Sequence, residues 1–344
     1  MINIDTPIKK RSEAIDMVKG LSIMTLFYLH FENGWMDTTY NIFLVRSPVF
    51  YMVVGWLWGM SAHKRTVQQH WEKRKQGLVK PYLWFSLILL SFDIIMVILN
   101  LFESTIFWRD LYKTLCLRGI GTLWFLPALL GGEILYLYLQ DKSKYLKILA
   151  YGITSCIICY YNWWHITQFS NDRMSDILNA PFRVIKDVSD CFIFLSIAYA
   201  ISSHIGRILL SQTKLKMFIE GAILLIADFY LMNYVHSSIV INELAFIVGN
   251  VLGGIGILLF FSAIENIKTI QMPLSHCGKN SLIIMATHFG ILLQLAFVFD
   301  KFIMKHATYS GAYTLIYFAI AVILQALIIR PVSYTHLRAH ETCA

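Results

Sequence analysis

The sequence predicts an all-α integral membrane protein, with about ten transmembrane helices in one bundle and both termini in the cytoplasm. Of its 344 residues, 57% are hydrophobic and only 15% are charged, and long apolar runs recur along the chain. A soluble domain of this length could not bury so much apolar surface, so a bilayer must supply the apolar solvent. Ten spans would use roughly 200 residues, which leaves enough chain for loops but not for a second folded domain.

Ten apolar runs have the length of a membrane span. They cover residues 15–32, 42–61, 81–101, 119–139, 148–164, 189–206, 217–234, 244–264, 281–299 and 312–329. The first run is followed by Glu32 and Asn33 and has no small-residue cleavage site, so we expect a retained span instead of a signal peptide.

The distribution of basic residues predicts the orientation. With the N-terminus inside and Arg338 of the final segment left out, 19 Lys and Arg residues fall on the inner side and 9 on the outer side, as the positive-inside rule predicts. The bias is strongest in a predicted inner loop at residues 63–80. This topology explains the net charge of +8 better than nucleic-acid binding does, because the basic residues are dispersed among apolar runs.

The last residues depart from this pattern. After Arg330 the chain has no apolar period, and residues 332–342 resemble the translation of a DNA sequencing adapter. We therefore assign residues 1–330 to the membrane domain and expect residues 331–344 to be a non-native tail that truncates the true C-terminus.

Ionisable residues within the spans are the candidates for function. Each costs about 2.5 to 3.5 kcal/mol at a span centre, so each needs a partner, a cavity or a role. They are Asp16, Lys19, His30, Asp93, Glu133, His204, Glu220, Asp228 and His288. His204 and Glu220 fall near predicted helix ends, where a side chain can snorkel to the membrane surface at little cost in free energy. We therefore favour a structural role for both.

The first span places a cation and an imidazole on one face. Lys19 and His30 are eleven residues apart, which returns to nearly the same face about 16 Å along the helix. Asp16 lies one turn before Lys19, where it can pair with the ammonium group. Taken singly, Lys19 is also explained as a snorkelling anchor and His30 as an interfacial histidine. A second intramembrane imidazole, His288, makes it less plausible that His30 lies within the membrane by chance.

Cysteine spacing carries little information about a metal or redox site. Cys156 and Cys159 have the spacing of a CxxC motif, but Ile157 and Ile158 place the pair within an apolar span. We interpret these thiols as packing residues and predict no metal site.

Residues 11–30 (RSEAIDMVKGLSIMTLFYLH) resemble the opening helix of the membrane-bound acyltransferase 3 family of O-acyltransferases, whose pattern is an acidic residue, an arginine, ten residues and a histidine. Four further segments match in order: residues 48–59 (PVFYMVVGWLWG), 73–84 (KRKQGLVKPYLW), 123–130 (LWFLPALL) and 277–288 (CGKNSLIIMATH). The resemblance covers residues 11 to about 330. Two positions depart from it, because Lys19 replaces an arginine and Gly77 interrupts the basic pair that precedes the proline.

The resemblance implies transfer of an acyl group, usually acetyl, from cytoplasmic acyl-CoA to a hydroxyl of an extracytoplasmic or lipid-linked glycan. It implies polysaccharide modification in a bacterial cell envelope, with the protein in the inner membrane. Acyl-CoA is then a donor substrate, no cofactor is permanently bound, and the partners are a carbohydrate acceptor and membrane lipids. The oligomeric state is left open.

Catalytic roles under this interpretation fall to His30, Asp16 and His288. A sugar hydroxyl is a poor nucleophile, so a neutral imidazole must remove its proton or be acylated first, and we assign that role to His30. Cations for the donor phosphates are Arg11, Lys19, Arg74 and Lys80. Candidate substrate-binding residues are Glu133, Asn280, Ser281, Trp124 and Asp93, with residues 165–188 as the outer segment that selects the acceptor.

Two other functions stay open at this point. A transporter or flippase of a polysaccharide precursor would also place ionisable residues inside a bundle, although no internal repeat or pair of interrupted helices is evident. A catalytically degenerate member of the family is the third interpretation, because two motif positions are altered.

Overall fold

The computed structural model describes residues 13–35, 47–61, 66–168, 177–234, 238–293, 295–296 and 315–329. Within these ranges all regular secondary structure is helical, which confirms the all-α class. Arg11 and the proposed tail, residues 331–344, lie outside these ranges.

The α-helices whose bounds fall within the described residues are numbered in chain order. They are α1 (Glu13–Trp35), α2 (Pro48–Gly59), α3 (Val67–Arg74), α4 (Lys80–Ile98), α5 (Ser104–Leu115), α6 (Phe125–Gln140), α7 (Lys144–Gln168), α8 (Ala180–Ser211), α9 (Lys214–Tyr234), α10 (Ile239–Ile264), α11 (Lys268–Lys279), α12 (Ser281–Thr287) and α13 (Leu315–Ile329). A π-helical turn, Lys75–Val79, joins α3 to α4, and a second, His288–Leu293, extends α12. A 3₁₀ turn, Gly121–Trp124, opens α6.

Four helices in the described part of the chain are long and apolar enough to cross a membrane: Val67–Ile98, Gly121–Gln140, Ala180–Ser211 and Val240–Ile264. Three shorter apolar helices are Pro48–Gly59, Ser281–Leu293 and Leu315–Ile329. The membrane character is therefore supported, whereas the number of ten spans and the orientation of the termini stay predictions.

The predicted inner loop at residues 63–80 is largely helical, which corrects the sequence interpretation. The side chain of Thr66 accepts a hydrogen bond from the backbone of Gln69, and the Gln69 side chain accepts one from the backbone of Thr66. This reciprocal capping box satisfies free N–H groups at the start of α3. The basic residues of the segment are thus held on a helix that continues into α4.

The helices cross closely at small residues. A Cβ added to Gly55 of α2 would lie 2.3 Å from the Leu195 carbonyl of α8, and Gly221 of α9 and Gly256 of α10 approach each other in the same way. In a bilayer, where apolar side chains gain little by leaving lipid, such close backbone contact is a principal source of helix association.

The core and the periphery differ as expected for a membrane protein. The largest buried cluster joins residues of α1, α2, α8, α10 and α12, with Phe27 and Trp56 fully buried. Large apolar side chains cover the outer helix faces, among them Leu83, Ile98 and Ile226. Exposed apolar surface on this scale is typical of a protein that is embedded in lipid.

Candidate active site

Two imidazoles meet inside the bundle. Nδ1 of His30, on α1, lies 3.0 Å from Nε2 of His288, at the start of the second π-helical turn. His288 is fully buried, and its Nδ1 lies 2.7 Å from the carbonyl oxygen of Ile284. The structure thus brings together two site residues that are 258 positions apart in the chain.

The partners of the two rings assign their protons. A carbonyl can only accept, so the Nδ1–H of a neutral His288 donates to Ile284 and its Nε2 is an acceptor. His30 must then carry its proton on Nδ1, which donates to Nε2 of His288. Nε2 of His30 therefore presents a lone pair.

Aromatic rings surround the imidazole pair. The ring centroid of Phe27 lies 5.1 Å from that of His288, and the ring of Phe289 meets His30 edge-on at 5.0 Å. The π-helical turn brings the rings of both His288 and Phe289 against His30. Such turns are rare and occur often at functional sites.

Asp16 and Lys19 lie at the other end of α1. The Lys19 ammonium group is 2.8 Å from Oδ1 of Asp16, which confirms the predicted pair. The Asp16 side chain is buried, whereas that of Lys19 is 21% exposed. Asp16 is about 21 Å along the helix from His30, so it does not touch the imidazole and instead positions Lys19.

The short helix α11 packs against this end of α1. A Cβ on Gly20 would lie 1.9 Å from the Leu274 carbonyl, and one on Gly278 would lie 1.9 Å from the Asp16 carbonyl. Glu13 binds the ammonium group of Lys279 at 3.3 Å. The crossing thus places Lys279 at the same end of α1 as Lys19. The sequence analysis does not assign Lys279 to the donor.

Asn280 and Ser281 mark the junction of α11 and α12. The Asn280 amide donates to the His276 carbonyl at 2.9 Å, and the residue lies about 12 Å along the helix from His288. Ser281, half-buried, is the first residue of α12. The structure therefore does not bring the amide of Asn280, a predicted substrate-binding residue, to the imidazoles.

Arg74 and Glu133 bind each other. The sequence analysis instead assigns Arg74 to the donor phosphates and Glu133 to substrate binding. Arg74 Nε lies 2.8 Å from Oε2 of the buried Glu133, and a terminal nitrogen of Arg74 contacts Oε1. His70 Nε2 lies 2.9 Å from the same Oε2. The sequence does not single out His70 as long as residues 63–80 are predicted to be a loop. On a helix, its position four residues before Arg74 indicates a shared face.

The remaining predicted site residues are dispersed. Lys80 is exposed at the start of α4. Asp93 is buried on α4 and interacts electrostatically with Asp110 and Arg109 of α5. The guanidinium carbon of Arg118 lies over the ring of Trp124, 5.2 Å from the ring centroid. Cys156 and Cys159 are free thiols, and the described residues contain no group of three side chains suited to a metal ion.

Comparison with known proteins agrees with the arrangement of these motifs. The family model described as an acyltransferase domain, that of the acyltransferase 3 family, matches residues 12–330. No curated protein and no solved structure matches the chain. Because the family model covers nearly the whole sequence, the chain belongs to the membrane acyltransferase 3 family.

Proposed function

We propose that this acyltransferase moves an acyl group, acetyl in the usual case, from cytoplasmic acyl-CoA to a hydroxyl of an extracytoplasmic or lipid-linked glycan. The observation that supports this most directly is the hydrogen bond between His30 and His288. It leaves the Nε2 lone pair of His30 as a base in an apolar, aromatic environment.

The reaction needs one proton acceptor that later returns the proton. The acceptor hydroxyl attacks the thioester carbonyl carbon while its proton passes to Nε2 of His30. The tetrahedral intermediate then expels the CoA thiolate by breaking the C–S bond, and the thiolate takes the proton from His30. An acyl-imidazole formed first on His30 would give the same products in two transfers.

His288 orients the base in this scheme. When His30 gains a proton, its Nδ1–H bond to His288 becomes charge-assisted and therefore stronger. His288 can accept that bond because the Ile284 carbonyl fixes its own proton on Nδ1. This arrangement resembles the general logic in which a third group holds a catalytic imidazole in one tautomer.

The donor phosphates require cations, and Lys19 is placed to supply one. Its ammonium group is partly exposed and is oriented by the buried Asp16. Lys279, also exposed, lies near the same end of α1 through its contact with Glu13. The separation of about 16 Å between Lys19 and His30 along α1 would be bridged by the extended pantetheine arm of the donor.

Release of CoA from labelled acetyl-CoA by the purified protein tests the proposal. We expect free thiol to appear, slowly without an acceptor and faster with one, and the label to enter the glycan. A transporter or flippase would leave the thioester intact while moving its sugar cargo. Complete stability of acetyl-CoA in the presence of a glycan extract would reject the proposal.

A further inference from the structure

A second group of buried polar side chains lies where α2, α6 and α8 begin. Arg118 approaches Asp187 at 3.8 Å, and the ammonium group of Lys186 lies 2.7 Å from Oδ2 of Asp190. The four side chains are between 10% and 19% exposed. Charged side chains that are largely shielded from water cost free energy, so a partner, a ligand or a function must compensate for their burial.

Tyr51 adds an unsatisfied hydroxyl to this group. Its side chain is 2% exposed, and the hydroxyl oxygen has no hydrogen-bond partner in the described structure. The phenol interacts electrostatically with Cys191, Asp187, Asp190 and Arg118, so these side chains are its charged and polar neighbours. Its ring is fixed by stacking on Phe125 at a centroid distance of 5.1 Å. A buried hydroxyl without a partner is costly, so it is a natural contact for a polar ligand.

The 3₁₀ turn Gly121–Trp124 connects this group to the imidazoles. A Cβ on Gly121 would meet the ring of Phe289, which packs against His30. At the other end of the turn, Trp124 carries the Arg118 guanidinium group over its ring. A ligand held by Arg118 and Asp187 would thus lie one short turn from the proposed base.

We infer that Tyr51, Arg118, Trp124, Lys186, Asp187 and Asp190 form the binding site for the hydroxyl groups of a neutral sugar. That this sugar is the acyl acceptor rests on the proposed function.

The composition of the site favours this ligand class. Two carboxylates, an ammonium group, a guanidinium group and a phenol alternate donors with acceptors, as vicinal hydroxyls require. The cations and carboxylates balance in charge, so an anion gains no net attraction. The indole of Trp124 offers an apolar face of the kind that ligand pockets combine with a few polar groups.

Thermal unfolding of the purified full chain, with and without sugar, tests the inference independently of turnover. The probes are the methyl glycosides of glucose, galactose, mannose and N-acetylglucosamine. A sugar that binds the folded state raises the midpoint with concentration, which gives an apparent dissociation constant. We expect Tyr51→Phe to weaken binding about 3- to 10-fold and Asp190→Asn about 10-fold or more, because the latter removes a charged hydrogen-bond partner.

Tyr51→Phe also separates a binding role from a structural one. Because the hydroxyl has no hydrogen-bond partner among the described residues, its removal should leave the sugar-free midpoint unchanged or higher. Tyr82→Phe is the matched control, since the buried Tyr82 hydroxyl donates to the Thr114 carbonyl at 2.8 Å. That control should lower the midpoint and leave sugar affinity unaltered.

Two results would overturn the inference: no stabilisation of the wild-type chain by any of the four glycosides, or equal sugar affinity in Tyr51→Phe and wild type. CoA release is measured on the same preparations. Sugar binding without any CoA release would reject the proposed function and support the sugar site. CoA release without sugar binding would reject the sugar site and support the proposed function.

Discussion

Arg74 holds the buried carboxylate of Glu133 through two of its nitrogens, with Nε 2.8 Å from Oε2. The planar fork of an arginine matches both carboxylate oxygens, which makes this the strongest class of ion pair. His70 adds a third contact, so α3 and α6 are joined by one polar cluster. The charge of Arg74 is therefore balanced within the protein, and other cations must neutralise most of the donor phosphate charge.

Removal of the Glu133 carboxylate should destabilise the bundle. Glu133→Ala leaves the guanidinium group of Arg74 without its counter-ion in a largely buried position. Breaking one side of such a pair costs about 3 to 5 kcal/mol. We expect a corresponding decrease in the free energy of unfolding in detergent, and partial recovery in the double variant Arg74→Met with Glu133→Leu.

Glu220 provides the control for this loss. It is partly exposed on α9 and pairs with Lys216 at 3.7 Å, so Glu220→Ala should change stability by less than about 1 kcal/mol. If Glu133→Ala unfolded like the wild type and only raised the KM for acyl-CoA, the Arg74–Glu133 pair would belong to the donor site and not to the framework.

His30→Ala should abolish acyl transfer without loss of the folded protein. Loss of a general base lowers turnover by a factor of about 10² to 10⁴, and loss of a covalent nucleophile lowers it further. We expect His288→Ala to lower kcat with little effect on the KM for acyl-CoA, because His288 acts through His30. Initial rates of CoA release and the elution profile of the detergent-solubilised protein give the two measurements.

His276→Ala is the matched control, since His276 is an exposed histidine on α11. It should turn over as fast as the wild type. Full activity of His30→Ala would remove this imidazole from the mechanism, whatever the geometry of the pair.

The sequence predicted the imidazole pair in part. The helical period placed Lys19, Asp16 and His30 on one face, and the contact between Asp16 and Lys19 was foreseen because it lies within one helical turn. The contact between His30 and His288 was not foreseen as a hydrogen bond. It depends on how α1 packs against the distant second π-helical turn, and no local pattern encodes that distance.

The Arg74–Glu133 pair shows a second limit of the sequence interpretation. Glu133 is predicted as a costly carboxylate within a span and Arg74 as a cation of the inner loop, and the two are assigned to separate ligands. A single sequence shows which charges need partners and does not show which charges find each other. The cluster of Tyr51, Asp187 and Asp190 was missed for the same reason, because its members come from helices far apart in the chain.

Lys19→Gln should weaken donor binding more than it slows the chemical step. Under the proposed function the substitution removes one of the cations that bind the donor phosphates, so we expect the KM for acetyl-CoA to rise several-fold while kcat changes little. Because charge attraction is screened by salt, the difference from wild type should shrink as ionic strength rises. Lys216→Gln, on exposed α9, is the control with an unchanged KM. Equal KM values in Lys19→Gln and wild type at low salt would show that the ammonium group does not meet the donor.

Substitution of the glycines at the crossing of α1 and α11 should disrupt the site from a distance. An added Cβ at Gly20 or Gly278 would overlap a backbone carbonyl of the other helix at 1.9 Å, and backbone atoms cannot move aside as a side chain can. Gly278→Ala should therefore cost at least about 1 to 3 kcal/mol and separate Lys279 from Glu13, which the unfolding midpoint and the KM for acetyl-CoA would register together. Gly152→Ala is the matched substitution, because a Cβ at Gly152 on α7 would have no neighbour within 4 Å; there alanine should stabilise the helix by about 0.5 to 1 kcal/mol. An equal response at the two positions would mean that α11 does not press against α1 in the membrane.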